Sequence, residues 1–230
     1  MKSQLRRGFT LIELLIVMAI MALVAGMLFP AFSAAKAASK TAVTLSNIRQ
    51  LGIGFQLYES DYDDGFPSVT HGRSGAGMSG GWVYYSQYVD MGNTAGVFDV
   101  SKGTLFPYVR NKAVYVSAND VGADSSGLSF AFNGCLINLP EVSGLNTTKS
   151  VASVQYPTLT MLLGEEGTGI SSAGKQSGTN DGFFNPTTDQ FAEWHDGKTA
   201  VVFVDGHAKT TRAQSHFALT LTGQPIGSCW

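Results

Sequence analysis

Between Phe9 and Phe32 the chain carries a single charge, Glu13. From Leu14 to Phe29 there is none, and no side chain is more polar than Met. At about 1.5 Å per residue, a helix over this run spans roughly 36 Å, enough to cross a hydrocarbon core of about 30 Å. Lys2, Arg6 and Arg7 precede the run, and no acid comes before Glu13. The basic flank is therefore expected to stay cytoplasmic and the body to lie outside. The averages fit one further domain. With 230 residues and 44% hydrophobic content, the chain is no disordered tail. A formal charge of −2 without a Lys/Arg block argues against nucleic-acid binding. The 2 cysteines are too few for a disulfide scaffold or a four-cysteine zinc site, and 27 glycines point to a turn-rich, largely β body.

Two simpler explanations of the run compete. A removable secretory signal has an apolar core of about 7–15 residues and a small-residue cleavage site. Ala22 to Gly26 passes loosely for such a site, but the run continues to Phe32. A plain signal anchor accepts the basic flank but has no use for Glu13. An ionised carboxylate costs about 2.5–3.5 kcal/mol at mid-bilayer, less near the interface. Snorkelling of Glu13 to the headgroups is the bland reading.

The residues around Glu13 favour another. Arg7-Gly8-Phe9-Thr10-Leu11-Ile12-Glu13 resembles the class III leader of type IV pilins and type II secretion pseudopilins. The resemblance implies that a membrane prepilin peptidase cuts between Gly8 and Phe9 on the cytoplasmic side and methylates the new amine of Phe9. The apolar segment is then kept. Glu13 falls where the family has its acid, and Pro30 where many type IV pilins have a helix-kinking proline. A buried carboxylate needs a partner. In a filament, Glu13 can neutralise the Phe9 amine of its own or a neighbouring subunit and so set axial register.

After Pro30 an Ala-rich stretch favours helix. Leu45, Ile48, Leu51, Phe55, Tyr58 and Tyr62 then form one helical stripe. One helix is expected from Phe9 to about Tyr62, bent or locally melted at Pro30. Gly52 and Gly54 either weaken it or allow close packing. Asp63-Asp64-Gly65-Phe66-Pro67 should stop it. The expected organisation is a leader over 1–8, a membrane-spanning stalk over 9–32, an amphipathic continuation over 33–62 and a β-rich head over 63–230. The fold class is α+β and type IV pilin-like, with the long helix packed on a small antiparallel sheet.

The segment Leu45 to Pro67 is also similar to a large group of pilin-like proteins related to the major pseudopilin. These often carry a cysteine where this chain has Thr44, and Cys-Pro-x-Asp where it has Ser117-Ala118-Asn119-Asp120. The paired departure is what joint loss of a disulfide would leave.

In the head, strands are expected at Trp82–Tyr85, Ala113–Val116, Leu128–Phe132, Thr158–Leu163 and Thr199–Val204. Asp205-Gly206, followed by His207–Thr210, signals a two-residue hairpin. His195, nine residues and Asp205-Gly206 match the His-x9-Asp-Gly signature of the same pilin-like group. A structural role, with His195 bonding a loop or Asp205, is favoured over a metal or ligand role.

Gly75 to Gly80 fits a dinucleotide fingerprint, and Gly77 to Gly81 a nucleophile elbow, but neither has the strand and helix it needs. A hydrolase built on His195 or His207 is disfavoured; no enzyme and no cofactor is expected. Asp181, Asn185, Asp189 and Asp196 make an oxygen-rich loop, and major pseudopilins use a calcium-bound loop near the carboxyl end. A solvated loop without metal is the expectation. Glu165-Glu166 should cap a strand in water. Cys135 and Cys229, both placed outside the cytoplasm, are a candidate disulfide.

The expected function is a non-catalytic subunit of a type II secretion pseudopilus or type IV pilus-like filament. Its partners would be copies of itself, other pilin-like subunits, the prepilin peptidase, an inner-membrane assembly platform and the membrane, with no nucleic acid. It would sit single-pass in the inner membrane, then in a periplasmic or surface filament. The competing expectation is a membrane-anchored binding or adhesive module that does not polymerise.

Overall fold

The computed structural model describes residues 9–68, 81–87, 96–138, 147–169, 176–185 and 189–212. The chain divides into two units, Met1–Ser39 and Lys40–Trp230. Helix α1 (Leu11–Asp61) supplies the first unit and the start of the second. It runs through Pro30 without a break, so local melting there is not found. One missing backbone donor does not outweigh an otherwise strong helix former on both sides.

In the first unit every large apolar side chain from Leu11 to Phe32 is exposed. Helix α1 is the one helix, among the described residues, long and apolar enough to cross a membrane. A helix that is apolar all round and has nothing packed on it must find lipid or other helices.

The second unit is built on the amphipathic end of α1. Ile48, Leu51 and Phe55 are 0% exposed, and each such side chain contributes about 1.5–3 kcal/mol by leaving water. Phe55 stacks on Phe132 with ring centroids 5.3 Å apart. Gly52 and Gly54 are packing sites. A Cβ at Gly52 would lie 2.8 Å from Val202 Cγ2, and one at Gly54 would lie 2.6 Å from Val109 Cγ2. The helix ends in two left-handed residues, Asp63 (φ 52°) and Asp64 (φ 58°), with the Asp64 amide donating back to Glu59 O at 2.9 Å.

The remaining elements are β1 (Tyr85–Gln87), β2 (Val97–Phe98), α2 (Phe106–Val109), α3 (Ala123–Ser126), β3 (Phe130–Asn133), β4 (Ile137–Asn138), β5 (Thr147–Thr148), β6 (Met161–Glu165), β7 (Phe183–Phe184), β8 (Thr199–Phe203) and β9 (Ala208–Thr211). The main sheet has five strands in the order β7-β3-β6-β8-β9. All neighbours are antiparallel except β3 and β7, which run parallel. The fold is thus α+β with a long apolar amino-terminal helix and a mostly antiparallel sheet, in the pilin-like layout. Phe130, Phe132 and Val202 belong to the core cluster that includes Ile48, Leu51 and Phe55 of α1. Ala131, Val201 and Phe203 alternate with them and pack with Met161, Phe184 and Phe191 in a second cluster. Strands β3, β6 and β8 are buried on both faces, which is why β6 and β8 read as nearly continuous apolar runs.

Three local expectations fail. The strand expected at 82–85 begins only at Tyr85, and residues 82–84 are bends and irregular backbone. Residues 113–116 are not a strand; Lys112–Tyr115 is a 3₁₀ turn. The Asn111 side chain caps it by accepting from the Ala113 amide, and Asn47 of α1 donates to Ala113 O at 3.2 Å and Val116 O at 3.0 Å. Local capping and a helix contact override β propensity there. The hairpin loop is also longer than two residues. Val204, Asp205 and Gly206 separate Phe203 from His207, whose carbonyl accepts from the Phe203 amide at 2.9 Å. Gly206 sits at φ 87°, the left-handed position such a three-residue loop demands.

Glu59, on the buried side of α1, is 6% exposed, and its Oε1 has no hydrogen-bond partner. Burial, with the Asp64 charge nearby, pushes its carboxyl up from the ordinary 4.5 to about 7. The folded value exceeds the unfolded one, so folding favours the protonated form. That stabilisation is complete below the unfolded value and is lost as pH rises through about 7. Urea midpoints at about pH 5 and about pH 8 should therefore differ more for the wild type than for Glu59→Gln, with the wild type weaker at high pH. Equal pH slopes in the two proteins would refute this.

Candidate functional site

The amino-terminal end of α1 is closed by a reciprocal cap. Thr10 donates to Glu13 Oε2 from its amide at 2.9 Å and its hydroxyl at 2.8 Å, and the Glu13 amide donates to Thr10 Oγ1 at 3.3 Å. This is a capping box, Thr-x-x-Glu, which sequence reading overlooked although the spacing is plain. Glu13 therefore has a local partner before any subunit contact. Phe9 is 76% exposed beside it. Gly8 lies outside the described residues.

His195 sits in a turn just before β8, its amide bonded to Lys198 O at 3.1 Å. Asp196 (φ 55°) and Gly197 (φ 70°) make the reversal. The side chain is 2% exposed. Nδ1 lies 2.9 Å from Thr41 Oγ1 of α1 and 3.0 Å from Asn119 Nδ2, while Nε2 lies 2.9 Å from Glu165 Oε2. An amide nitrogen only donates, so Nδ1 accepts and the ring hydrogen sits on Nε2, facing Glu165. Glu165 is fully buried at the end of β6 and also accepts from the Ala200 amide at 2.7 Å. The expected solvated strand cap is thus a core carboxylate tying α1, β6, β8 and the 117–120 segment together. Asp205 is not its partner. His195 precedes β8 and Asp205 follows it, where Asp205 accepts from the His207 amide at 3.1 Å. The His-x9-Asp-Gly spacing measures one strand with the turn at each end.

Thr44 and Ser117 meet beside this network. Their hydroxyls are 3.1 Å apart, and Thr44 Oγ1 also accepts from the Ala118 amide at 3.1 Å. The two positions where similar proteins often carry cysteine are therefore neighbours here, joined by a hydrogen bond. A Thr44→Cys/Ser117→Cys protein should form that disulfide on oxidation and gain up to about 4 kcal/mol, the loop-entropy value for a loop of this size. Non-reducing peptide mapping and the urea midpoint would check it; persistent free thiols would count against the geometry. Next to the pair, Asp120 accepts from the hydroxyls of Ser129 at 2.6 Å and Ser177 at 2.9 Å, fastening the same segment to the sheet.

At one end of the sheet Glu166, Asp181 and Asp189 converge, with carboxylate oxygens all within 4.8 Å of one another. Asp181 precedes β7, and Asp189 precedes a segment whose Phe191 bridges Glu166. Asp181 accepts from the Phe183 amide at 2.9 Å, and Asp189 from the Asn185 amide at 2.6 Å. Glu166 is 0% exposed, and neither of its oxygens makes a hydrogen bond; Thr168 and Thr179 lie near enough only to hold its carboxyl down a little. Burial and the charges of Asp181 and Asp189 push Glu166 well above the ordinary range. Burial, then Asp189, pushes Asp181 up to about 7. Of the loop acids named from the sequence, Asp181 and Asp189 come together. Asp196 is exposed in the His195 turn and is not among them. The third member, Glu166, is one that sequence reading placed in water.

Cys135 is buried and disulfide-bonded; its expected partner, Cys229, lies outside the described residues, as do Gly75 to Gly80. His207 is half-buried and engaged by Asp205.

The family model for the prokaryotic N-terminal methylation motif matches residues 4–29. No curated protein and no solved structure matches the chain. The matched stretch contains Gly8, Phe9, the Thr10–Glu13 cap and most of the exposed apolar helix. The chain thus carries a prepilin-type amino-terminal methylation motif at the start of the apolar half of α1, ahead of an α+β, pilin-like layout.

Proposed function

We propose that the protein is a non-catalytic structural subunit, cleaved between Gly8 and Phe9, N-methylated at Phe9 and polymerised through its amino-terminal helix. The filament is of the type II secretion pseudopilus or type IV pilus-like kind. One observation carries the reading: every large apolar side chain from Leu11 to Phe32 is exposed, directly behind a prepilin-type motif. A removable signal would not need a helix that continues into the head, and a mere tether would not need Gly8.

In this reading residues 1–8 are a cytoplasmic leader, 9–32 span the inner membrane and the head lies outside. Loss of Lys2, Arg6 and Arg7 with the leader leaves a more acidic chain. The prepilin peptidase and an inner-membrane assembly platform act on it, and identical helices replace lipid in the filament. Bundling buries the apolar faces, worth about 25 cal/mol per Å² if taken from water but far less when taken from lipid. Specific pairing of Glu13 with the Phe9 amine then supplies register. The intact mass of the mature protein tests the first step. It should begin at methylated Phe9; retention of Met1 or cleavage beyond Ala25 would overturn the reading.

A further inference from the structure

Charge is segregated by level along α1. From Leu14 to Tyr58 the only charged residues are Lys36, Lys40 and Arg49; Glu59, Asp61, Asp63 and Asp64 follow. Lys40, Arg49, Asp61, Asp63 and Asp64 are all exposed. None of these five is in an ion pair among the described residues, where the pairs lie at Asp99, Glu165 and Asp205. Asp61 accepts from the Tyr108 hydroxyl at 2.9 Å through one oxygen, Oδ2. A helix with opposite signs at two levels, and no internal partners for them, is complementary to a shifted copy of itself.

The faces of the helix decide which charges can meet. Residues four apart form a ridge, and at about 100° per residue two such ridges lie on opposite sides here. Lys40, Thr44, Ile48 and Gly52 make the ridge on the head side. Thr44, Ile48 and Gly52 are buried under the head, whereas Lys40 continues the ridge into solvent. Ile53, Leu57 and Asp61 make the outward ridge. It is exposed throughout, with Ile53 at 47% and Leu57 at 49%.

We propose that the Ile53–Leu57–Asp61 ridge seats a second copy of this chain, parallel to the first and shifted so that Asp61 of one copy pairs with Lys40 of the next. The pairing rests on the filament reading and gives it a register, a shift of about 21 residues or roughly 32 Å along the helix. In copies of like orientation, the outward side of one helix meets the head side of the next. That side is covered from Thr44 onward and is bare at Lys40. Arg49 stands on the outward ridge itself, four residues before Ile53, and cannot face such a neighbour. An antiparallel pair would set Arg49 against Asp61, but both amino-terminal helices enter the membrane from one side. Ile53 and Leu57 then lie against the Ala-rich turns before Lys40, where small side chains let helices approach closely. The contact is heterologous: each copy offers Asp61 to one neighbour and Lys40 to another, so it repeats without closing.

The test uses the full chain in its own cells, with filament yield read by shearing and immunoblot. Lys40→Glu and Asp61→Lys should each lower the yield at least tenfold, because like charges then meet at the contact. Lys40→Glu and Asp61→Lys combined in one chain restore opposite signs, and the yield should return to within about threefold of wild type. Urea midpoints of the detergent-solubilised single variants should match wild type, since both residues are exposed. If loss of the Tyr108 bond weakens Asp61→Lys, Lys40→Glu decides the matter alone. Wild-type yield from Lys40→Glu, or no recovery in a stably folded double variant, would overturn the pairing and leave the filament reading standing. So would a larger loss from Arg49→Glu than from Lys40→Glu. A wild-type chain that enters no filament at all would overturn both.

Discussion

Glu13→Gln is expected to leave membrane insertion and cleavage after Gly8 intact and to lower incorporation into filaments at least a hundredfold. The choice of Gln follows from the cap. Thr10 and Glu13 close the first turn of α1 by reciprocal hydrogen bonds, and Gln serves that capping box as well as Glu does. The helix therefore still starts at Leu11, and only the charge is removed. In the proposed filament, the methylated Phe9 amine then lies among apolar helices without its counter-charge. Breaking one side of a buried ion pair costs about 3–5 kcal/mol, two or more decades in subunit affinity. Glu13→Ala is a poorer probe, because it also removes a cap worth about 0.5–2 kcal/mol. Comparison of sheared filament fractions with total membrane protein, by immunoblot, gives the measurement. Wild-type filament yield from Glu13→Gln would mean that capping is the whole role of the acid.

The second large effect concerns the head. His195→Ala should destabilise it by about 3–5 kcal/mol, read from the urea midpoint of the detergent-solubilised protein. Removal of the ring leaves Glu165, 0% exposed, with the Ala200 amide as its remaining side-chain partner, and strips Thr41 and Asn119 of their shared acceptor. Four segments lose their common joint at once, so the loss should exceed that of a surface histidine by several kcal/mol. A change within about 0.5 kcal/mol of wild type would show that the network is not a structural joint. His195 then needs another explanation, and metal or ligand binding becomes the reading to pursue.

Both predictions use residues picked out from the sequence, but with partners that the sequence did not name. Glu13 was assigned to an amine and also caps its own helix. His195 was expected near a loop or Asp205, and it bonds Glu165, Thr41 and Asn119. The helix stripe was legible because Ile48, Leu51 and Phe55 recur at helical spacing, and β8 because a run of β-branched residues has little else to form. Residues 113–116 misled because the capping side chain of Asn111, two positions before Ala113, together with Asn47, outweighed the local preference. The two glutamates at the end of β6 misled because charged residues at a strand end usually face water.

The amino-acid sequence alone determined the membrane-length helix, its processing motif and its isolated acid, since these are properties of neighbouring residues and of a period of 3.6. Tertiary structure alone decided which acids are buried and whom they meet. Glu165 finds His195 and Glu166 finds Asp181 and Asp189 only because β6 lies inside a sheet whose strands come from distant parts of the chain. The environment of a carboxylate is set by whatever long-range pairing brings beside it, and no local pattern encodes that.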